Sequence, residues 1–176
     1  MPLLVRRAEV DDAGAIATCH IHSWQVGYQG VISNDFLRSL SLDLPQRTAR
    51  WQTLILGAEP EGRFILIGEI DGEVAGWLSG GPYRDGRPGE SELGEVYGCY
   101  VDPAHWREGV GSALMASALE RLLRDAYPEA LLWVLEENPR ARAFYEQLGW
   151  VADGARKMFE VADERHPEVR YRRRLP

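Results

Sequence analysis

The stretch DPAHWREGVGSALM, residues 102–115, sets two glycines one residue apart, Gly109 and Gly111, where a strand ending at Val101 gives way to a helix. A turn of this kind aims several backbone N–H groups at one point, and the helix dipole adds to their pull on negative charge. The chemistry on offer is anion binding. Glycine lets the turn form and lets a ligand oxygen come close to the chain, while Ser112 adds a hydroxyl donor. The plain alternative is a turn whose glycines serve only close packing. Two familiar phosphate loops fail on these residues. A Walker loop needs Gly-Lys-Ser/Thr, yet the chain's one lysine is Lys157, far from any such loop. A dinucleotide fingerprint needs a third small residue where Leu114 stands, and no acidic residue ends a suitable following strand.

The elements around this turn read as an alternation of strands and helices. LLVRRA opens as a strand, and Asp11 or Asp12 caps a helix with Ile16, Cys19, Trp24 and Tyr28 at roughly helical spacing. SNDFLRSL forms a second helix from Ser33, and PQRTARWQTLIL a third from Pro45. RFILIGEI and EVAGWLSG are strands joined by Asp71-Gly72, a two-residue hairpin signal. After the loop GRPGES comes the strand ELGEVYGCYV, then an amphipathic helix marked by Val110, Leu114, Met115, Ala118, Leu119 and Leu122. The nearly all-apolar ALLWVL suits burial on both faces in a parallel pairing. Asn138 as N-cap, Pro139 at the first helical position and Gly149 past the end punctuate a further helix. Closing strands at Trp150–Val161 and Val169–Arg174 complete an α/β domain with a mixed sheet of about seven strands.

Composition narrows the partners. A chain of 176 residues fits one domain, residues 1–176, and 45% hydrophobic with 27% charged residues is a globular composition. The formal net charge of −7 argues against a nucleic-acid binder, and VRYRRR at the end reads as a solvated strand. No apolar run is long enough to cross a bilayer, and MPLLVRRAEVDD has no apolar signal core, so the expectation is a cytoplasmic protein without a membrane partner. Cys19 and Cys99 form no metal or disulfide pattern, and the histidines are too scattered for a metal site. An apolar terminal strand could serve a homodimer.

The turn and the segments after it resemble the GNAT superfamily of acyl-CoA-dependent N-acetyltransferases. That family's signature loop, Gln/Arg-x-x-Gly-x-Gly/Ala after a strand ending in Val-x-Pro, is similar to YVDPAHWREGVGSAL, and its second signature to NPRARAFYEQLGW. A looser likeness extends to SWQVGYQGVISNDFL. Trp106 departs from the pattern by standing at the Gln/Arg position. The resemblance implies a mostly antiparallel, twisted sheet, splayed between its fourth and fifth strands and flanked by helices on both faces. It implies that acetyl-CoA is the cosubstrate, its pyrophosphate held by Arg107, Glu108, Gly109, Val110, Gly111 and Ser112. Its pantetheine arm would run along the backbone of Cys99, Tyr100 and Val101 and meet Asn138.

The chemistry implied is direct transfer of the acetyl group to a primary amine of a small molecule, peptide or protein. Such an amine is mostly protonated at neutral pH, so a base helps it to react and an acid helps the thiolate to leave. The resemblance assigns the acid to Tyr145, which also touches the cofactor, and the base to Glu95, with Glu92 or water as alternatives. Read without the family, Tyr145 is the packed face of a helix and the two glutamates are an exposed strand end. Cys99 as an acyl carrier is the lesser reading beside a small buried strand residue. Trp24, Tyr28, Phe36 and Tyr97 are expected to wall an aromatic acceptor cleft. A non-catalytic CoA-binding sensor, or transfer of a longer acyl chain, would share the same cradle.

Overall fold

The computed structural model describes residues 2–85 and 92–176, so the expected GRPGES loop at 86–91 lies outside the described residues. In chain order the elements are β1 (Leu3–Arg7), α1 (Ala13–Gly27), α2 (Asn34–Ser39), α3 (Leu44–Ala58), β2 (Phe64–Ile70), β3 (Glu73–Pro82), β4 (Gly94–Val101), α4 (Val110–Arg124), β5 (Glu129–Leu135), α5 (Pro139–Gln147), β6 (Val151–Val161) and β7 (Glu164–Arg174). Asp71 and Gly72 both adopt positive φ, the backbone that a tight two-residue hairpin demands, and β2 and β3 pair across them.

The strands make one seven-stranded sheet in the order β1-β2-β3-β4-β5-β7-β6. Every neighbouring pair is antiparallel except β4 and β5. That parallel pairing is short: Gly94, Glu95 and Val96 meet Ala130, Leu131 and Leu132, and there it stops. β5 is therefore parallel to a neighbour over only part of its length, and its other edge pairs antiparallel with β7 from end to end. The β3–β4 register shifts between Ser79 and Gly80, leaving Tyr97 as the extra residue of a bulge directly after the last β4–β5 pair. A bulge bends and twists its strand, which turns β4 away from β5 at this point.

β7 starts at Glu164, five residues before the expected Val169. Ala162 and Asp163 supply a second hairpin with positive φ. Pro167 reads as a strand breaker in the sequence, but its carbonyl accepts from the Glu136 N–H at 2.8 Å, beyond the end of the β5 ladder. Its missing N–H falls on the same side, where the Glu136 carbonyl accepts from Arg142 Nη1 at 3.3 Å instead.

Helices cover both faces. α4 sets Val110, Leu114, Met115, Ala118 and Leu122 against Leu66, Leu78, Val96 and Leu132, with Tyr145 of α5 in the same cluster. On the opposite face Ile16, Ala17 and Cys19 of α1 and Trp51 of α3 pack on Ile65, Ile67 and Trp77. The first turn of α4 sits almost on the sheet because Gly68 and Gly76, cross-strand partners, leave room for it. A Cβ on either would stand 2.9 Å from Val110 Cγ1, and one on Gly76 also 2.9 Å from the Tyr100 carbonyl oxygen. Gly76→Ala should therefore lift the start of α4 and lower unfolding stability by about 1–3 kcal/mol, read from the urea midpoint; an unchanged midpoint would show that the seat is not tight.

Candidate active site

The bend between β4 and α4 is built by local rules. Asp102 caps the turn Pro103–His105, accepting from the Ala104 N–H at 3.0 Å. Arg107 and Gly109 then adopt φ of 68° and 85°, the left-handed region, which rotates successive N–H groups toward one side before α4 begins at Val110. The first N–H spent inside the helix is that of Ala113, to the Gly109 carbonyl at 3.0 Å. Among the described residues those of Arg107 to Ser112 have no acceptor, and the Arg107 guanidinium has no carboxylate partner. The Glu108 carboxylate is 2.9 Å from a ring nitrogen of His105. Gly111 is needed for space as well, because a Cβ there would lie 3.2 Å from the Phe144 ring of α5.

A cavity of about 890 Å³ runs between the diverging halves of β4 and β5 and on toward α1 and α3; its lining reaches Val101 and Trp106 but none of the residues 107–112. The Asp102 N–H donates to the Ala75 carbonyl at 2.8 Å, and by the alternation of an antiparallel ladder the backbone groups of Cys99 and Val101 turn away from β3, into the open seam. Tyr100 is different: its register places its backbone against Trp77 of β3, and its ring, with that of Trp77, lines the cavity. Trp106 makes a contact that the Gln/Arg pattern would not. Its indole N–H donates to the Val101 carbonyl at 2.9 Å, and the Arg140 guanidinium lies 3.5 Å above its ring. Asn138 caps α5, accepting from the Ala141 N–H at 3.0 Å, and lines the cavity beside Ala141 and Tyr145.

Tyr145 is 8% exposed, and its hydroxyl has no partner among the described residues. Burial first, then Cys99 and Tyr100 nearby, push its pKa well above the ordinary tyrosine value, so it is fully protonated at neutral pH. Burial likewise pushes the Cys99 thiol up to about 12, which leaves it a poor nucleophile.

The expected base is not in the cavity. Glu95 is 1% exposed and holds Arg84 at three points, accepting from its backbone N–H (3.0 Å), Nε (3.2 Å) and Nη2 (2.7 Å). Both carboxylate oxygens are spent, and the same Arg84 guanidinium covers the Tyr97 ring at 4.1 Å. Glu92 is exposed and also off the cavity wall. The carboxylate that does line the cavity is Glu168 of β7, whose pKa is raised chiefly by burial and pulled back by Lys157, 4.0 Å away, and by Arg84. Nothing in the linear sequence singles it out, because only the parting of β4 and β5 opens a path to it.

Of the expected aromatic wall, Trp24, Tyr28 and Tyr97 line the cavity. The Tyr28 and Tyr100 hydroxyls are 3.3 Å apart, and Tyr97 donates to the Pro82 carbonyl at 2.7 Å. Phe36 instead belongs to the cluster of Ile21, Ile32, Leu37 and Leu40 and reaches the cavity only through the Trp24 ring. His20, Trp51 and Trp77 enlarge the wall beyond expectation: the His20 ring lies 4.9 Å from that of Trp77, and burial helped by Arg47 and Arg50 pushes its pKa down to about 3.

The arrangement can hold an anion at the bend, lay an amide-bearing chain along the seam and present a protonated phenol to its far end. The acetyltransferase (GNAT) family profile matches residues 31–150. The chain is 33% identical over 94% of its length to the uncharacterized N-acetyltransferase YuaI of Bacillus subtilis, covering 89% of that protein. It is 30% identical over 80% of its length to an uncharacterized N-acetyltransferase of Archaeoglobus fulgidus, covering 88% of it. In fold it is similar to the PaiA N-acetyltransferase of Thermoplasma acidophilum, solved with coenzyme A, at TM-score 0.79 and 14% identity over 99% of both chains.

Because Glu95 anchors Arg84 rather than facing the cavity, Glu95→Gln should cost about 1–3 kcal/mol of stability, the range for a buried charged hydrogen bond, while the shape of any pH–rate curve stays as it was. Urea unfolding and a pH series on the same variant check both; a lost acidic limb at unaltered stability would return the base role to Glu95.

Proposed function

The chain belongs to the GNAT acetyltransferase family, and on that premise we propose that it is an N-acetyltransferase, moving the acetyl group of acetyl-CoA directly to a primary amine of a small molecule, peptide or protein. The observation that carries the reading is the open seam between β4 and β5, with the Tyr145 phenol along it and the unpaired N–H groups of Arg107 to Ser112 in the bend that follows β4. The pyrophosphate of the cosubstrate would sit in the bend, with Arg107 free to pair with it. Its amide-bearing arm would add to the strand edge at Cys99 and Val101 as a peptide strand does, with the Asn138 side-chain amide within the same wall. Trp106 already takes the Val101 carbonyl, so at that residue the arm would bond the N–H.

The amine nitrogen attacks the thioester carbonyl, the carbon–sulfur bond breaks, and the Tyr145 hydroxyl gives its proton to the departing sulfur. The amine's own proton passes to Glu168, directly or through water. Direct transfer fits the raised Cys99 pKa, since an acyl-cysteine route would need a thiolate.

Tyr145→Phe should lower kcat roughly a hundredfold, as expected for loss of a general acid, with acetyl-CoA affinity nearly unchanged; free-thiol release and calorimetry read the two quantities. Glu168 can accept a proton only when ionised, so the rate should climb with pH through a pKa above the ordinary carboxylate value, and Glu168→Gln should remove that limb. Tight acetyl-CoA binding with no thiol release across a broad amine panel would instead favour a CoA sensor.

A further inference from the structure

The acceptor end of the cavity is zoned by charge. On its α3 wall stand Arg47 and Arg50, one helical turn apart, and neither has a carboxylate partner among the described residues. Asp43, also on the lining and one turn before Arg47, pairs with neither. The Arg47 Nε is buried with no acceptor, and so is the indole N–H of Trp77, a side chain 4% exposed on the same cavity. Buried donors left without acceptors are costly, and in a chain of net charge −7 two unpaired guanidiniums beside them are conspicuous. His20, its ring 4.9 Å from that of Trp77, is kept neutral by burial and by the charge of both arginines. Toward β6 and β7 the charges are mixed: Glu168 and Asp85 are there with Lys157, 3.0 Å from Asp85, and Arg84 is close enough to act on Glu168.

We infer that the acceptor is a small primary amine bearing its own carboxylate, an amino-acid-like molecule, whose carboxylate is held by Arg47 and Arg50 with the Trp77 indole N–H while its amine lies toward Glu168 and Tyr145. A planar carboxylate is a group that guanidinium forks bind well, and it would supply acceptors to the Arg47 Nε and the Trp77 indole, two of the four lining donors without one, the others being the indoles of Trp24 and Trp133. The aromatic rings between the two zones would enclose the carbon skeleton. The inference rests on the acetyltransfer reading and deepens it.

The test is a kinetic panel with acetyl-CoA in which free amino acids are each matched with their carboxamide and their decarboxylated amine. The expected result is a kcat/KM at least about tenfold higher for the free carboxylates, the value of one charged hydrogen-bond pair. Arg47→Ala and Arg50→Ala should each erase most of that preference by raising KM for the carboxylates, leaving acetyl-CoA affinity unaltered. Arg47→Lys and Arg50→Lys, which keep the charge, should retain part of it and cover the case in which the alanine variants do not fold. Equal or better turnover of the carboxamides and simple amines would overturn the inference and leave acetyl transfer standing. If no member of any series releases thiol, acetyl transfer to small amines fails, and the carboxylate site falls with it.

Discussion

Beyond Val96 and Leu132 the β4–β5 ladder has no further rungs, although both strands continue for several residues. Backbone N–H and C=O groups withdrawn from water need partners, and at a parting of this kind the partners must come from elsewhere. One is supplied internally: the Trp106 indole takes the Val101 carbonyl. The rest of the edge stays open to a ligand that carries amides of its own. The opening has a local cause in the extra residue at Tyr97, which bends β4 just after its last partner, while β5 stays committed to β7 along its whole length. The cavity, the access to Glu168 and the placing of α5 beside the seam all come from that divergence.

Around the opening the protein treats its charges in two ways. Glu95 is buried under β4 and fully used by Arg84, whose guanidinium in turn lies on Tyr97. That pair lies at the bulge, so this carboxylate is engaged by an arginine rather than exposed on the cavity wall. Glu168, Lys157 and Asp85 are held more loosely on the opposite wall, where burial raises the Glu168 pKa without tying up its oxygens. Tyr145 and Cys99 are buried in a largely apolar wall, which favours their neutral forms. The seam is thus a place where a phenol keeps its proton and a thiol is inert, conditions that suit direct transfer between two bound molecules.

Much of the fold is legible along the chain because its signals are local. Asp71-Gly72 forces its hairpin through positive φ, Asn138 and Pro139 set the start of α5, and the apolar stripe of α4 matches the face it buries. The start of β7 is not legible in this way, since Pro167 looks like a breaker until its neighbour on that side is known to have ended. The bend at 107–112 and the place of Tyr145 on α5 are legible too, since they depend on a strand-to-helix junction and a helix cap. Residue type alone draws Phe36 to the cleft, whereas its helix turns it into a cluster with Leu37 and Leu40.

The sequence by itself determined the elements, the glycine bend between β4 and α4 and the family, for each is written in contiguous residues whose backbone preferences and spacing act over a few positions. The tertiary structure alone decided which carboxylate lines the cavity, because Glu95 and Glu168 differ not in type but in what surrounds them. One meets Arg84 across eleven residues, and the other reaches the cavity from a strand more than seventy residues away. Such partnerships are fixed by where strands part and faces meet, and no short stretch of chain carries that information.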